Sequence, residues 1–180
     1  MIRKVAFFTL KLVLALAIIS ISLLWYSGFF NPVYITERES GSFQAITGNS
    51  GYYDEPVVIR NELFQSLKHM KIISRKALAV TPDPFEENLI TKTGWVLNIS
   101  QTLEASELEP PYQVITIPQQ KRIVADFAYD NDFSIMAGSV KVYNQLEKYC
   151  KEKGYKTGTM YEIYDDKKQR IFYHLDIESD

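Results

Sequence analysis

The sequence predicts an α+β fold behind one N-terminal transmembrane helix: two βαββ repeats that share an antiparallel sheet with two long helices. Three observations predict it. Residues 12–30, LVLALAIISISLLWYSGFF, run for nineteen positions without a charge. Two later stretches, 57–73 and 133–153, carry apolar residues at helical spacing. Each half of the remaining chain then repeats one order of elements: strand, helix, strand, strand.

The uncharged run has the length needed to cross a bilayer core. Arg3, Lys4 and Lys11 precede it, and Lys11 can snorkel toward the headgroups. Trp25 and Tyr26 lie near its far end, where aromatic rings favour the interface. Glu37, Arg38 and Glu39 beyond it are of mixed sign, so the positive-inside rule places the N-terminus in the cytoplasm. The domain is then expected on the outer, periplasmic or extracytoplasmic side. A cleaved signal peptide is the competing reading. The run is longer than a signal core and no A-x-A-like site follows it, so an uncleaved anchor is expected.

The anchor takes residues 1–31 and the domain 32–180, with repeats at about 33–104 and 112–178. In the first repeat an extended segment runs over 33–35 and continues through 42–47. Gly48-Asn49-Ser50-Gly51 is a turn signal. A helix follows over 57–73, with Ile59, Leu63, Phe64, Leu67 and Met70 on one side. Strands are expected at 76–81 and 94–99, and an acidic stretch from Glu104 to Pro111 links the halves.

The second repeat has a lead-in at 112–117 and a strand over 121–129. Its helix, 133–153, bears the stripe Ile135, Met136, Val140, Tyr143, Leu146 and Tyr149, and Gly154 caps it. Strands at 157–164 and 170–177 close the chain around an Asp165-Asp166-Lys167-Lys168 turn.

Composition excludes several classes. With 10 Phe, 12 Tyr and 2 Trp the chain is not of disordered type. Lys and Arg number 20 against 22 Asp and Glu, and three of the basic residues belong to the anchor, so nothing favours nucleic acid. Cys150 is the single cysteine, which rules out an internal disulfide; it reads as a packed thiol. Two distant histidines, His69 and His174, make no metal set. No nucleophile–base pair or phosphate loop is present, so no catalytic residue, metal or cofactor is expected. Lys68, Lys71, Arg75 and Lys76 read as a solvated helix end, and Asp126 as a solvent-facing strand residue.

Glu162 is the residue that chemistry singles out. Alternation puts Met160, Glu162 and Tyr164 on one face of a strand that is otherwise apolar and aromatic. A carboxylate there faces water, a ligand or a hydrogen-bonding tyrosine. A cation would stabilise it, and aromatic walls would add cation–π attraction. Two βαββ units side by side leave a cleft at their junction, a common place for small-molecule sites. Tyr53 at the turn into the first helix, Trp95 on a strand that should line the cleft, and Tyr164 beside Glu162 are the expected aromatic walls.

Three stretches carry a family likeness: Phe43-Gln44-Ala45-Ile46-Thr47-Gly48 with Gly51-Tyr52-Tyr53; Ile117-Pro118 with Lys121-Arg122-Ile123-Val124-Ala125-Asp126-Phe127; and Tyr161-Glu162-Ile163-Tyr164-Asp165. In this order they resemble the gyrase-inhibitor-like small-molecule-binding domain, the effector-binding domain of AraC-type and multidrug-sensing regulators. With its anchor, the chain looks most like the membrane-bound branch that includes the testis-expressed ER-phagy receptor of animals. The resemblance spans about residues 33–178. It implies that Glu162 lies at the base of an aromatic cleft for lipophilic or cationic ligands. No DNA-binding segment precedes this domain and the sequence stops at Asp180, so neither the regulator role nor the phagy-receptor role is expected to carry over. The other functions left open are a non-catalytic interaction module using the same groove, its protein partner unknown, and a small-molecule hydrolase.

Overall fold

The computed structural model describes residues 2–26, 28–49, 76–85, 92–97 and 112–178. The helix expected at 57–73 lies outside them, as do Tyr53, His69 and the basic residues Lys68, Lys71 and Arg75.

The chain opens with helix α1 (Ile2–Tyr26). At 1.5 Å per residue it is about 37 Å long, more than a hydrocarbon core requires. Its window Thr9–Tyr26 is apolar and entirely exposed, so the helix is long and apolar enough to cross a membrane. Ser22, one of two serines in that window, returns its hydroxyl to the Ile18 carbonyl at 2.8 Å.

Eight strands follow: β1 (Tyr34–Ser40), β2 (Phe43–Asn49), β3 (Lys76–Thr81), β4 (Lys92–Val96), β5 (Gln113–Ile117), β6 (Gln120–Ala128), β7 (Lys156–Asp165) and β8 (Arg170–Glu178). Helix α2 (Asp132–Lys153) stands between β6 and β7. The strands form one curled sheet in the order β1-β6-β8-β7-β3-β4-β2-β5, and its neighbours pair antiparallel. The order is symmetric about the β7–β3 pair. The α+β class is therefore as the sequence predicts, and β6-α2-β7-β8 follows the expected strand–helix–strand–strand order.

One expectation is corrected. Residues 33–47 do not form a continuous lead-in. The chain breaks at Gly41-Ser42, and β1 and β2 go to opposite halves of the sheet: β1 onto β6, β2 between β4 and β5. The side chains at the end of β1 account for its placement. Ser40 is buried and bonded to the Gln120 carbonyl at 3.4 Å, while Glu37 accepts from Lys121 of β6 at 2.8 Å and from Tyr149 and Tyr155 at 3.0 and 2.9 Å. The lysine, then the two phenols, hold the Glu37 carboxyl down at about 2.

Helix α2 has both ends closed. Asn131 Oδ1 accepts from the Ser134 amide, and the Asn131 amide donates in return to the Ser134 hydroxyl oxygen, a reciprocal cap. Gly154 is left-handed at φ 72°, and the Tyr155 amide reaches the Cys150 carbonyl at 3.0 Å. Between these ends Val142, Leu146 and Cys150 pack on Ile123, Phe127 and Ile171 of the sheet. Burial pushes the Cys150 thiol up to about 11, as a packed rather than reactive cysteine requires. The other face of the curled sheet buries Ala45, Leu78, Val80, Ile117 and Ile163.

Candidate functional site

Strand β7 lies at the midline of the sheet, between β8 and β3. Its register shifts between Thr157 and Met160, which settles which residues of 160–165 face α2. Directly opposed residues of antiparallel strands share a face. Glu162 is opposed by Tyr173 of β8 and Ala79 of β3; Tyr164 is opposed by Ile171 and Ala77; Ala77 is in turn opposed by Trp95 of β4. Glu162, Tyr164 and Trp95, three of the four residues expected to line the cleft, therefore share the α2 face. The fourth, Tyr53, lies outside the described residues.

Glu162 is only 5% exposed, and both carboxylate oxygens are used. Tyr143 of α2 donates to Oε1 at 2.5 Å and Tyr164 donates to Oε2 at 2.6 Å. Burial pushes the Glu162 carboxyl above its ordinary value, and the two phenols oppose that shift. No ion pair to Glu162 occurs among the described residues. The carboxylate thus has two neutral donors and an apolar setting, with Ala79 on one side and Tyr173 on the other. Ala79 remains half-buried next to it, as does Tyr164.

The aromatic surroundings are continuous. Tyr143 meets the Tyr173 ring edge-on, with centroids 6.2 Å apart and planes at 84°. Trp95, 8% exposed, packs with Ile46, Ala77 and Leu97. Tyr164 belongs to the border of both this cluster and the one under α2, so its ring marks the seam between the two halves.

The tyrosine partner of Glu162 was one reading of the sequence, and Tyr143 supplies it from an unexpected element. The stripe on α2 includes Tyr143, but it also includes Met136 and Val140, which the structure leaves exposed, so the stripe alone does not say which of its members point inward. Which strand residue Tyr143 meets depends on how far α2 slides along β7, and local pattern carries no signal for that.

The reverse face holds a second polar group. Arg122 is fully buried, with Nε on Asp176 Oδ1 at 2.5 Å and Nη1 on the Pro118 carbonyl at 3.0 Å and on the Ser40 hydroxyl. Its guanidinium lies 5.2 Å from the Tyr161 ring centroid. Burial first, then Arg38 and Arg122, push His174 on this face down to about 4, so its imidazole is neutral. Asp126, expected in solvent, is half-buried instead and takes Arg170 Nε at 2.6 Å, because β6 is covered on both flanks by β1 and β8. Among the described residues no cluster of His, Cys, Asp and Glu could hold a metal ion.

No family model matches the sequence, and no curated protein matches it. Solved structures do match the fold. An integron cassette protein from the mobile metagenome of Vibrio cholerae aligns with a TM-score of 0.50 at 13% identity, over 81% of this chain and 99% of its own. The structure of SAV2435 bound to tetraphenylphosphonium aligns at 0.57 and 11% identity, over 81% and 94%. The C-terminal domain of EcmrR aligns at 0.58 and 12%, over 82% and 99%. At such identities the likeness is one of fold alone.

Proposed function

We propose that this chain is a membrane-anchored small-molecule-binding protein that takes a lipophilic cation into the cleft beside Glu162. The observation that carries the reading is the buried Glu162 carboxylate held by two tyrosine hydroxyls and by no ion pair among the described residues. Desolvation of such a charge is costly, and a cation with apolar surface offsets that cost while gaining cation–π contact. Glu162, Tyr164 and Trp95 bind the ligand in this reading, together with Tyr53, which lies outside the described residues, and Tyr143 orients the carboxylate. A helix over 57–73 would complete the first βαββ repeat around β2, β3 and β4. The bound tetraphenylphosphonium of SAV2435, a protein of the same fold, supports the ligand class.

The test is a thermal shift of the full chain in detergent with tetraphenylphosphonium and cationic dyes. The melting temperature is expected to rise for the native chain and not for Glu162→Gln, which keeps the shape and removes the charge. No shift for any lipophilic cation overturns the reading. The pH dependence has a defined sign. The raised Glu162 value means that folding favours the protonated acid, and stability falls as pH rises through that value. A bound cation favours the ionised form, so affinity should rise over the same window, with a proton released on binding.

In the same reading α1 spans a bilayer with the N-terminus in the cytoplasm and the domain outside. A reporter enzyme that works only outside the cytoplasm, fused after Asp180, is expected to be active.

A further inference from the structure

The domain does not hang from α1 on a free linker. The last turn of α1 closes through the Gly28 amide on the Trp25 carbonyl at 3.0 Å and the Phe29 amide on the Leu24 carbonyl at 3.1 Å. The chain then docks on the start of α2. Asn131 Nδ2 donates to the Tyr26 carbonyl at 2.9 Å, and Asn31 Nδ2 to the Ala128 carbonyl at 3.2 Å. Lys141 Nζ donates to the carbonyls of Phe29 and Asn31 at 2.8 and 2.6 Å and lies 5.7 Å from the Phe29 ring centroid. Gly28, at φ +66°, is buried in this joint; a β-carbon there would come within 3.1 Å of Ser134 Cβ.

The exposed apolar side chains collect at the same joint. Trp25, Tyr26, Phe29 and Phe30 are exposed where α1 ends. Beyond Tyr34 the exposed large apolar side chains among the described residues are Met136, 69% exposed, and Val140, 63% exposed. They stand one turn apart on one side of α2. The same side continues as exposed Asn144, Lys148 and Lys151, so it is apolar for two turns and polar after that. A helix graded in this way suits a tilted position at a lipid surface, with its start in the headgroup layer and its end in water.

Resting on the reading of α1 as a membrane span, we infer that the first two turns of α2 lie in the lipid headgroup layer, seated by Met136 and Val140 in continuity with Trp25, Tyr26, Phe29 and Phe30. The occupant of this apolar surface is lipid. Because Tyr143 follows Val140 by less than one turn and reaches Glu162, the cleft is held next to the bilayer surface, and its ligands arrive from the pool dissolved in the membrane.

The experiment uses the full chain in phosphatidylcholine vesicles, with an environment-sensitive fluorophore on single cysteines: Met136→Cys, Val140→Cys, Lys148→Cys and, within α1, Leu16→Cys. The native Cys150 thiol is buried and labels slowly. Labels at 136 and 140 are expected to shift to the blue and to be quenched by headgroup nitroxides, while 148 stays water-like. Label 16 is expected to be quenched by acyl-chain nitroxides. A water-like signal at 136 and 140 with label 16 quenched overturns the inference and leaves the span in place. Failure of label 16 overturns both. A blue-shifted label 136 that lipid nitroxides do not quench means that protein, such as a second copy of the chain, covers the surface, and that also overturns it.

Discussion

Gly94→Ala is expected to cost more stability than a methyl group added at Gly28, Gly41, Gly138, Gly154 or Gly158. Gly94 lies in β4 opposite Thr47 of β2, and a β-carbon at this position would fall 1.8 Å from the Ile46 carbonyl oxygen and 2.9 Å from Thr47 Cα. Those neighbours are backbone, so no rotamer relieves the overlap; β2 must move away from β4. Overpacking that side chains can absorb costs about 1–3 kcal/mol, and this change should lie at or beyond the upper end. Against a total stability of roughly 5–15 kcal/mol, that is a large loss. It would also shift Trp95 and Ile46, which oppose each other one residue on, and so distort the aromatic wall. The control is Gly41→Ala, where nothing lies within 4 Å of the added carbon. Thermal melts of the two variants in the same detergent should differ widely, and equal midpoints would rule out so close an approach of β2 and β4.

Arg122→Ala should be of similar size. The guanidinium joins Ser40 at the end of β1, Pro118 in the link between β5 and β6, and Asp176 of β8. Its removal leaves Asp176 without its cation, two oxygens without their donor, and a cavity where a fully buried side chain stood. Breaking a buried pair from one side costs about 3–5 kcal/mol. Arg122→Lys should recover little, because one ammonium cannot reproduce a fork of donors aimed in three directions. The double change Arg122→Met with Asp176→Leu should recover much of the loss, since it removes the stranded charge together with its partner. Urea midpoints of the three variants and the native chain form the test. A double variant no more stable than Arg122→Ala would show that the fork, rather than the stranded acid, sets the cost.

Most element bounds were legible because local pattern is sufficient for them. The stripe and the terminal glycine of 133–153 mark α2 to within one residue, and alternation in 157–164 puts Glu162 and Tyr164 on the correct common face. Three features were not legible, for related reasons. β6 is buried on both faces, so Ile123, Val124 and Ala125 show no alternation, and Arg122 looks like a surface residue at a strand end although it is the largest fully buried side chain among the described residues. The parting of β1 from β2 occurs at a weak break, Gly41-Ser42, and is decided by partners far along the chain. The Tyr143–Glu162 bond depends on how a helix seats on a strand. In each case the deciding contact is long-range, whereas spacing records only what neighbours in sequence do.

The placement of β1 has a consequence for how the protein comes into being. Tyr34 pairs with Asp126 and Ser40 with Gln120, while β5 reaches back to pair with β2. Each half of the sheet is therefore finished by a strand from the other half, and the contact order is high. Non-local pairing of this kind slows folding. During synthesis β1 emerges directly behind α1 and must wait, unpaired, until β6 follows half a chain later. Exposed strand edges in that interval favour association with other chains. The charged run Glu37-Arg38-Glu39 on β1 guards against this, as charges do on natural sheet edges.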